Sequence, residues 1–155
     1  MTTHFIRKAK LTDVAHIQSL INSYASGNKM LPRSLHDIYE CLRDFHVCVE
    51  DERIIGVCAL HITWDNLAEI RSLAVAEDRQ RHGIGSELVK KCLDEAVNLG
   101  LASIFTLTYS REFFSKLGFA EVDKATLPHK VWADCIRCPQ FPNCSETAMT
   151  LEMCQ

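Results

Sequence analysis

The sequence has no apolar run approaching the roughly 20 residues a membrane-spanning helix needs, which excludes a helical membrane protein. Its first ten residues, MTTHFIRKAK, lack the apolar core of a signal peptide, so a cytoplasmic location is expected. It also lacks a basic excess. Lys and Arg number 17 against 20 Asp and Glu, for a formal net charge of −3. A general nucleic-acid binder would carry a basic face, so neither nucleic acid nor membrane is expected as a partner. There is no repeat, no low-complexity segment and no internal linker. What remains is 155 residues, 47% apolar and 24% charged, expected to form one domain (1–155). A domain of this length buries most of its apolar surface without staples.

Cysteine is plentiful instead, with eight in the chain. Without a secretion signal these read as thiols or metal ligands and not as disulfides. Cys41, Cys48, Cys58 and Cys92 stand singly among apolar neighbours and are expected as small core residues. The others crowd a Pro/Cys-rich connection over 123–146 and the C-terminus. There Cys135-x2-Cys138-x5-Cys144 follows His129, with Cys154 also at hand. Three cysteines and a histidine could hold a structural zinc. A lone C-x-x-C is equally met by reduced thiols in a cap packed with Trp132 and Phe141, and no metal is assigned.

The hydrophobic periodicity is mixed. FIRKA (5–9) reads as a strand. Thr12 is the expected N-cap of a helix carrying Val14, Ile17, Leu20, Ile21 and Tyr24, ended by Gly27. Ser34 and Asp37 form a capping pair for a second helix reaching about Asp44. A hairpin follows, 45–50 and 53–62 about Asp51-Glu52, then a strand over 67–76. Ile84, Leu88, Val89, Cys92, Leu93 and Ala96 mark a third helix closed by Gly100. Strands over 103–108, 119–122 and 147–153 flank a short helix over 110–118. The expectation is a mixed α/β domain, about seven strands with four helices.

Between the fourth strand and the third helix stands Gln80-Arg81-His82-Gly83-Ile84-Gly85-Ser86. The first N–H groups of a helix lack partners, its dipole is positive there, and glycine lets an anion approach. A Walker loop would need a lysine before Ser86, and a dinucleotide fingerprint would need a third glycine or alanine where Leu88 stands. A pyrophosphate held by backbone amides, as in an acyl-coenzyme A, remains. So does a turn shaped by glycine for its own sake.

The motif Gln80-x-x-Gly83-x-Gly85, after a strand ending Leu73-Ala74-Val75, resembles the acetyl-CoA motif of the GNAT N-acetyltransferases. FFSKLGF (113–119) resembles that family's second landmark. The resemblance implies a GNAT fold, with amides of residues 81–86 on the pyrophosphate. It also implies that the backbone of Leu73 and Val75 lies along the pantetheine arm, between splayed fourth and fifth strands. It implies acetyl-CoA as co-substrate, and since such domains often pair through their C-terminal strands, TAMTLEM (147–153) could join two copies in a homodimer.

The segments FIRKA, LPRS (31–34), GVCAL (56–60), AEIRSLAV (68–75), TLT (106–108) and LPHKVWADCIRCPQFPNC (127–144) are similar to the amino-acid N-acetyltransferases that make N-acetylglutamate. That branch implies an amino-acid acceptor, L-glutamate, and a place in arginine synthesis. Larger members carry an amino-acid-kinase-like domain, for which this chain has no room.

Two acceptor carboxylates call for arginine forks. Arg33 beside Ser34, then Arg71 and Arg7, are the candidates, against ordinary surface roles. Glu69 matches the glutamate proposed as base in the family, and a simple ion pair with Arg71 is its other reading. In a regular strand Glu69, Arg71, Leu73 and Val75 share one face unless a bulge intervenes. Phe114, expected on the acetyl-CoA side of the site, fills the slot where many members place a tyrosine acid, so Thr108 or Tyr109 is left to donate to the leaving thiolate. Acetylation of another small amine or a protein N-terminus, or a sensor that binds acyl-CoA without turnover, would carry the same glycine turn.

Overall fold

The computed structural model describes residues 3–25, 33–127 and 146–153. Apolar runs buried on both faces at the middle of the sheet, with more exposed strands toward its edges, make seven strands: β1 (His4–Lys8), β2 (Phe45–Glu50), β3 (Arg53–Trp64), β4 (Leu67–Val75), β5 (Ser103–Thr108), β6 (Ala120–Val122) and β7 (Thr147–Glu152). The helices are α1 (Val14–Ala25), α2 (Leu35–Glu40), α3 (Ile84–Leu99) and α4 (Arg111–Lys116). One sheet runs β1-β2-β3-β4-β5-β7-β6. Every pairing is antiparallel except β4 with β5, which α3 joins as a parallel crossover.

The strands divide their side chains between two layers. Cys48, Cys58, Leu60, Ala68 and Ile70 meet the α3 stripe of Ile84, Leu88, Val89, Cys92 and Ala96. Val47, Val49, Val57, Ala59 and Ala74 meet Val14, Ile17 and Ile21 of α1 and Ile38 of α2. Three of the four scattered cysteines are core residues as expected. Cys41 is not: it follows the last residue of α2 and stays half-exposed. No described helix is long and apolar enough to cross a membrane.

Local chemistry explains the boundaries. Asp51 and Glu52 both take positive φ, 50° and 64°, the backbone of a two-residue hairpin turn that follows strand twist. Ser34 Oγ accepts from Asp37 N at 3.1 Å and starts α2, as expected. That helix stops at Glu40, and a separate 3-10 turn, Leu42–Asp44, completes the connection. The other capping expectation fails. Thr12 lies within a 3-10 turn, Leu11–Asp13, and Asp13 does the capping by accepting from Lys10 N at 2.7 Å. Asp13 is held there by Arg7, which reaches its two oxygens at 2.7 and 3.1 Å. Gly27 and most of the 123–146 connection lie outside the described residues.

The C-terminal strand is also not a free edge. β7 sits between β5 and β6, and both of its sides carry strand pairing. Pairing of two copies through β7 has no open ladder to use along Ala148–Thr150.

Candidate active site at the parting of two strands

β4 and β5 pair at only three positions, Leu67 with Ser103, Ala68 with Ile104 and Glu69 with Phe105. Beyond Glu69 the strands part. The carbonyl of Ile70, left without a strand partner on that side, accepts from the buried Thr106 hydroxyl at 2.9 Å. A side chain thus satisfies the first backbone group freed by the split.

The parting coincides with a bulge. Ala59 pairs with Arg71 and Val57 with Ala74, so Ser72 and Leu73 together oppose Cys58. Ser72 takes φ 57° to accommodate the extra residue. Side-chain parity flips across it. Ile70 and Leu73 both pack in the α3 layer, although an odd number of residues apart. Glu69 and Arg71 face the α1–α2 side, whereas Leu73 and Val75 face α3. These four therefore do not share one face: the bulge that was the exception to regular alternation is present, with Ser72 as the inserted residue.

The loop from β4 to α3 is tied down on both sides. Arg79 pairs with the buried Glu50 at 2.7 Å. Arg53 grips Asp78 through two contacts of 3.0 Å. Gln80 Nε2 donates to the carbonyl of Val75 at 3.3 Å. Arg81 takes φ 67° and Gly83 φ 79°. Gly83 accepts from Glu87 N at 3.0 Å and supplies no side-chain cap. The opening amides of α3, at Ile84, Gly85 and Ser86, thus have no intrahelical acceptor. Arg81 and His82 are exposed beside them.

The two glycines serve different ends. A Cβ on Gly83 would touch nothing within 4 Å, so its left-handed backbone is the reason for glycine. A Cβ on Gly85 would stand 3.4 Å from the ring of Phe113. Phe113 is thus the aromatic against the glycine turn, and Phe114 is not. Phe114 is 3% exposed, edge-on to Phe113 at 5.0 Å and to Phe119 at 5.2 Å, a core side chain.

On the α1–α2 side a charged cluster faces the same strand. Asn22 and Gln18 of α1 bind the backbone of Arg33: Asn22 Oδ1 accepts its N–H at 3.0 Å and Gln18 Nε2 donates to its carbonyl at 3.2 Å. Burial, and then the neighbouring Arg71 cation, depress the pKa of Arg33, while Glu69, Cys41 and Asp37 oppose them. These groups therefore share one field. Arg71 lies 3.6 Å from Glu69, both only 16% exposed, and 3.8 Å from the Cys41 sulfur. His61 stands opposite Glu69 in register and holds Asp44 at 2.6 Å. The ion pair with Arg71 that was the other reading of Glu69 is thus present.

Arg7 does not join this cluster. It lies on β1, the far edge of the sheet, clamped to Asp13, which raises the arginine pKa and lowers that of the carboxyl. Ser34 is engaged as a helix cap. At the end of β5, Thr108 Oγ1 accepts from Ser110 N at 2.8 Å, and Tyr109 is 46% exposed. The residues of the zinc alternative, His129, Cys135, Cys138, Cys144 and Cys154, lie outside the described residues. Sequence reasoning missed Thr106, Phe113, Cys41, Asp44 and His61. The tight β3–β4 turn gave no signal for His61: plain counting from Trp64 and Leu67 sets Ile62 opposite Glu69, and a register shift between Ile62 and Trp64 brings His61 there instead.

The Acetyltransferase (GNAT) family profile matches residues 11–119. An uncharacterised N-acetyltransferase of Chlorobaculum tepidum is 40% identical over 144 residues, 93% of either chain. An amino-acid acetyltransferase of Mycobacterium tuberculosis is 34% identical over 135 residues, 85% of this chain and 77% of that one. Among solved structures, an M. tuberculosis protein in complex with CoA and NLQ superposes with TM-score 0.83 at 30% identity, over 97% of this chain and 99% of that one. N-acetylglutamate synthase of Neisseria gonorrhoeae, complexed with coenzyme A and N-acetyl-glutamate, shares the fold at TM-score 0.89 and 24% identity, over all of this chain and 36% of that one. A split sheet with an uncapped glycine turn, and a family match over most of the chain, agree: the protein belongs to the GNAT family of acetyltransferases.

Proposed function

We propose that this chain transfers the acetyl group of acetyl-CoA to the α-amino group of an amino acid, L-glutamate foremost. The observation that carries the acceptor class is the placing of Arg33 and Arg71 on one face with Glu69, beside the split. Two guanidinium groups held partly out of water favour a ligand with carboxylates over a polyamine. The relatives named amino-acid acetyltransferase, and the N-acetylglutamate synthase likeness, support this reading.

The open amides of Ile84, Gly85 and Ser86 receive the pyrophosphate, with Gly85 admitting it closely. The β4 backbone at Leu73 and Val75, released from β5, runs along the pantetheine arm and offers N–H groups to the developing oxyanion. Glu69 takes the proton of the acceptor amine, directly or through water, since only the neutral amine attacks a thioester. Arg33 and Arg71 orient the acceptor carboxylates. Thr108 already accepts a bond from Ser110 N, so its own proton is available to donate toward the leaving sulfur. Tyr109 closes the same lip. The acetyl group passes directly, without an acetyl-enzyme.

The test is CoA release from acetyl-CoA with L-glutamate, set beside glutamine, aspartate, lysine and spermidine. Preference for glutamate supports the reading. Preference for lysine or spermidine overturns the acceptor and leaves the chemistry. No release with any amine, despite acetyl-CoA binding, leaves a sensor.

A further inference from the structure

We propose that Cys41, Asp44 and His61 form a binding site for a transition-metal dication of the zinc class. One ligand atom from each lies within 4.8 Å of the others. Ligands about 2.0–2.3 Å from a tetrahedral zinc stand roughly 3.3–3.8 Å from one another. Side-chain rotation would draw in the wider separations and part the 2.6 Å contact of His61 with Asp44 to admit the ion. The backbone already brings the donors together. Cys41 and Asp44 open and close one turn, Asp44 N donating to the Cys41 carbonyl at 2.9 Å. His61 arrives from β3 and touches the Asp44 carboxylate through Nδ1 at 2.6 Å.

The donor set selects the ion. A thiolate with an imidazole and a carboxylate suits zinc or cobalt and disfavours magnesium and calcium, which take oxygen. A plain His–Asp ion pair accounts for two of the three residues. It gives no reason for a cysteine beside them, outside the core and against a guanidinium. Arg71, 3.8 Å from the sulfur, is placed as the outer partner that a metal thiolate takes. Asp44 and His61 side chains are 23% and 29% exposed, which leaves a route for the ion. Three protein ligands leave a fourth position open. The inference does not depend on which amine the enzyme acetylates.

The C-terminal stretch carries further thiols, so the test must separate the two sources. Full-length protein is titrated anaerobically with Co2+ and followed by absorption. A background variant with Cys135, Cys138, Cys144 and Cys154 all changed to Ser is expected to bind one equivalent, with a thiolate-to-cobalt charge-transfer band and tetrahedral d–d bands, displaced by Zn2+. On that background Cys41→Ser removes the charge-transfer band, and His61→Ala weakens binding by about 100-fold or more. If the background does not fold by circular dichroism, Cys41→Ser in the natural chain must lower the bound cobalt by one equivalent. A folded background that binds no cobalt, or a band unmoved by Cys41→Ser and His61→Ala, overturns the site.

Discussion

Thr106 donates its hydroxyl to the carbonyl of Ile70 at 2.9 Å, where β4 and β5 separate. This bond lets the sheet open without orphaning a buried acceptor. Thr106→Val keeps the shape and removes the donor, which costs about 1–3 kcal/mol for an unsatisfied buried carbonyl. Urea unfolding will show the loss as a lower midpoint at unchanged slope. An unchanged midpoint would mean that water or a rearranged strand serves the carbonyl equally well.

Arg33 is expected to act on the acceptor alone. Each charge-assisted contact contributes about 1.5–3 kcal/mol, so Arg33→Ala lowers kcat/KM for glutamate tenfold or more. The KM for acetyl-CoA stays within about twofold, since the glycine turn is untouched. Steady-state kinetics in both substrates separates the two. A loss confined to acetyl-CoA would remove Arg33 from the acceptor side.

Arg7 is expected to act on stability. Its bonds to Asp13 hold the folded-state pKa of that carboxyl below its unfolded value of about 3.9. The group's contribution is therefore fully present above the unfolded pKa and fades as pH falls through the folded one. Asp13→Asn will destabilise the protein by about 1–3 kcal/mol at neutral pH. The gap to wild type will hold above about pH 5 and narrow below about pH 4. A constant gap down to pH 3 would contradict the pairing.

The two glycines of the turn separate conformation from access. Gly83→Ala forces a Cβ onto a left-handed backbone and costs about 1–2 kcal/mol. Gly85→Ala meets Phe113 at ordinary contact distance, so its stability cost is expected to stay below about 1 kcal/mol. Its added methyl stands among the opening amides of α3 and raises the KM for acetyl-CoA severalfold. Melting temperatures and KM values for the pair check this, and a Gly85→Ala enzyme with unaltered KM would place the pyrophosphate elsewhere.

The order of elements, the α3 stripe, the Ser34 cap and the glycine turn could be read directly from the chain. These are local patterns: a helix or a turn depends on residues within a few positions of one another. The same locality left Glu69, Arg71, Leu73 and Val75 on one face unless a bulge intervened, and nothing within the strand said whether one did. Only the folded sheet shows that Ser72 is an extra residue, for a bulge is a mismatch with a partner strand and has no meaning within one strand. Phe113 and Phe114 are equal aromatics in the sequence. The packing of α4 between Gly85 and the core decides which meets the turn. Arg7 and Arg33 likewise look alike until Asp13 claims one and α1 positions the other. Cys41, Asp44 and His61 meet only because β3 carries a histidine back past the end of α2. Pairings of that kind come from long-range closure of the sheet, and no spacing in the chain encodes them.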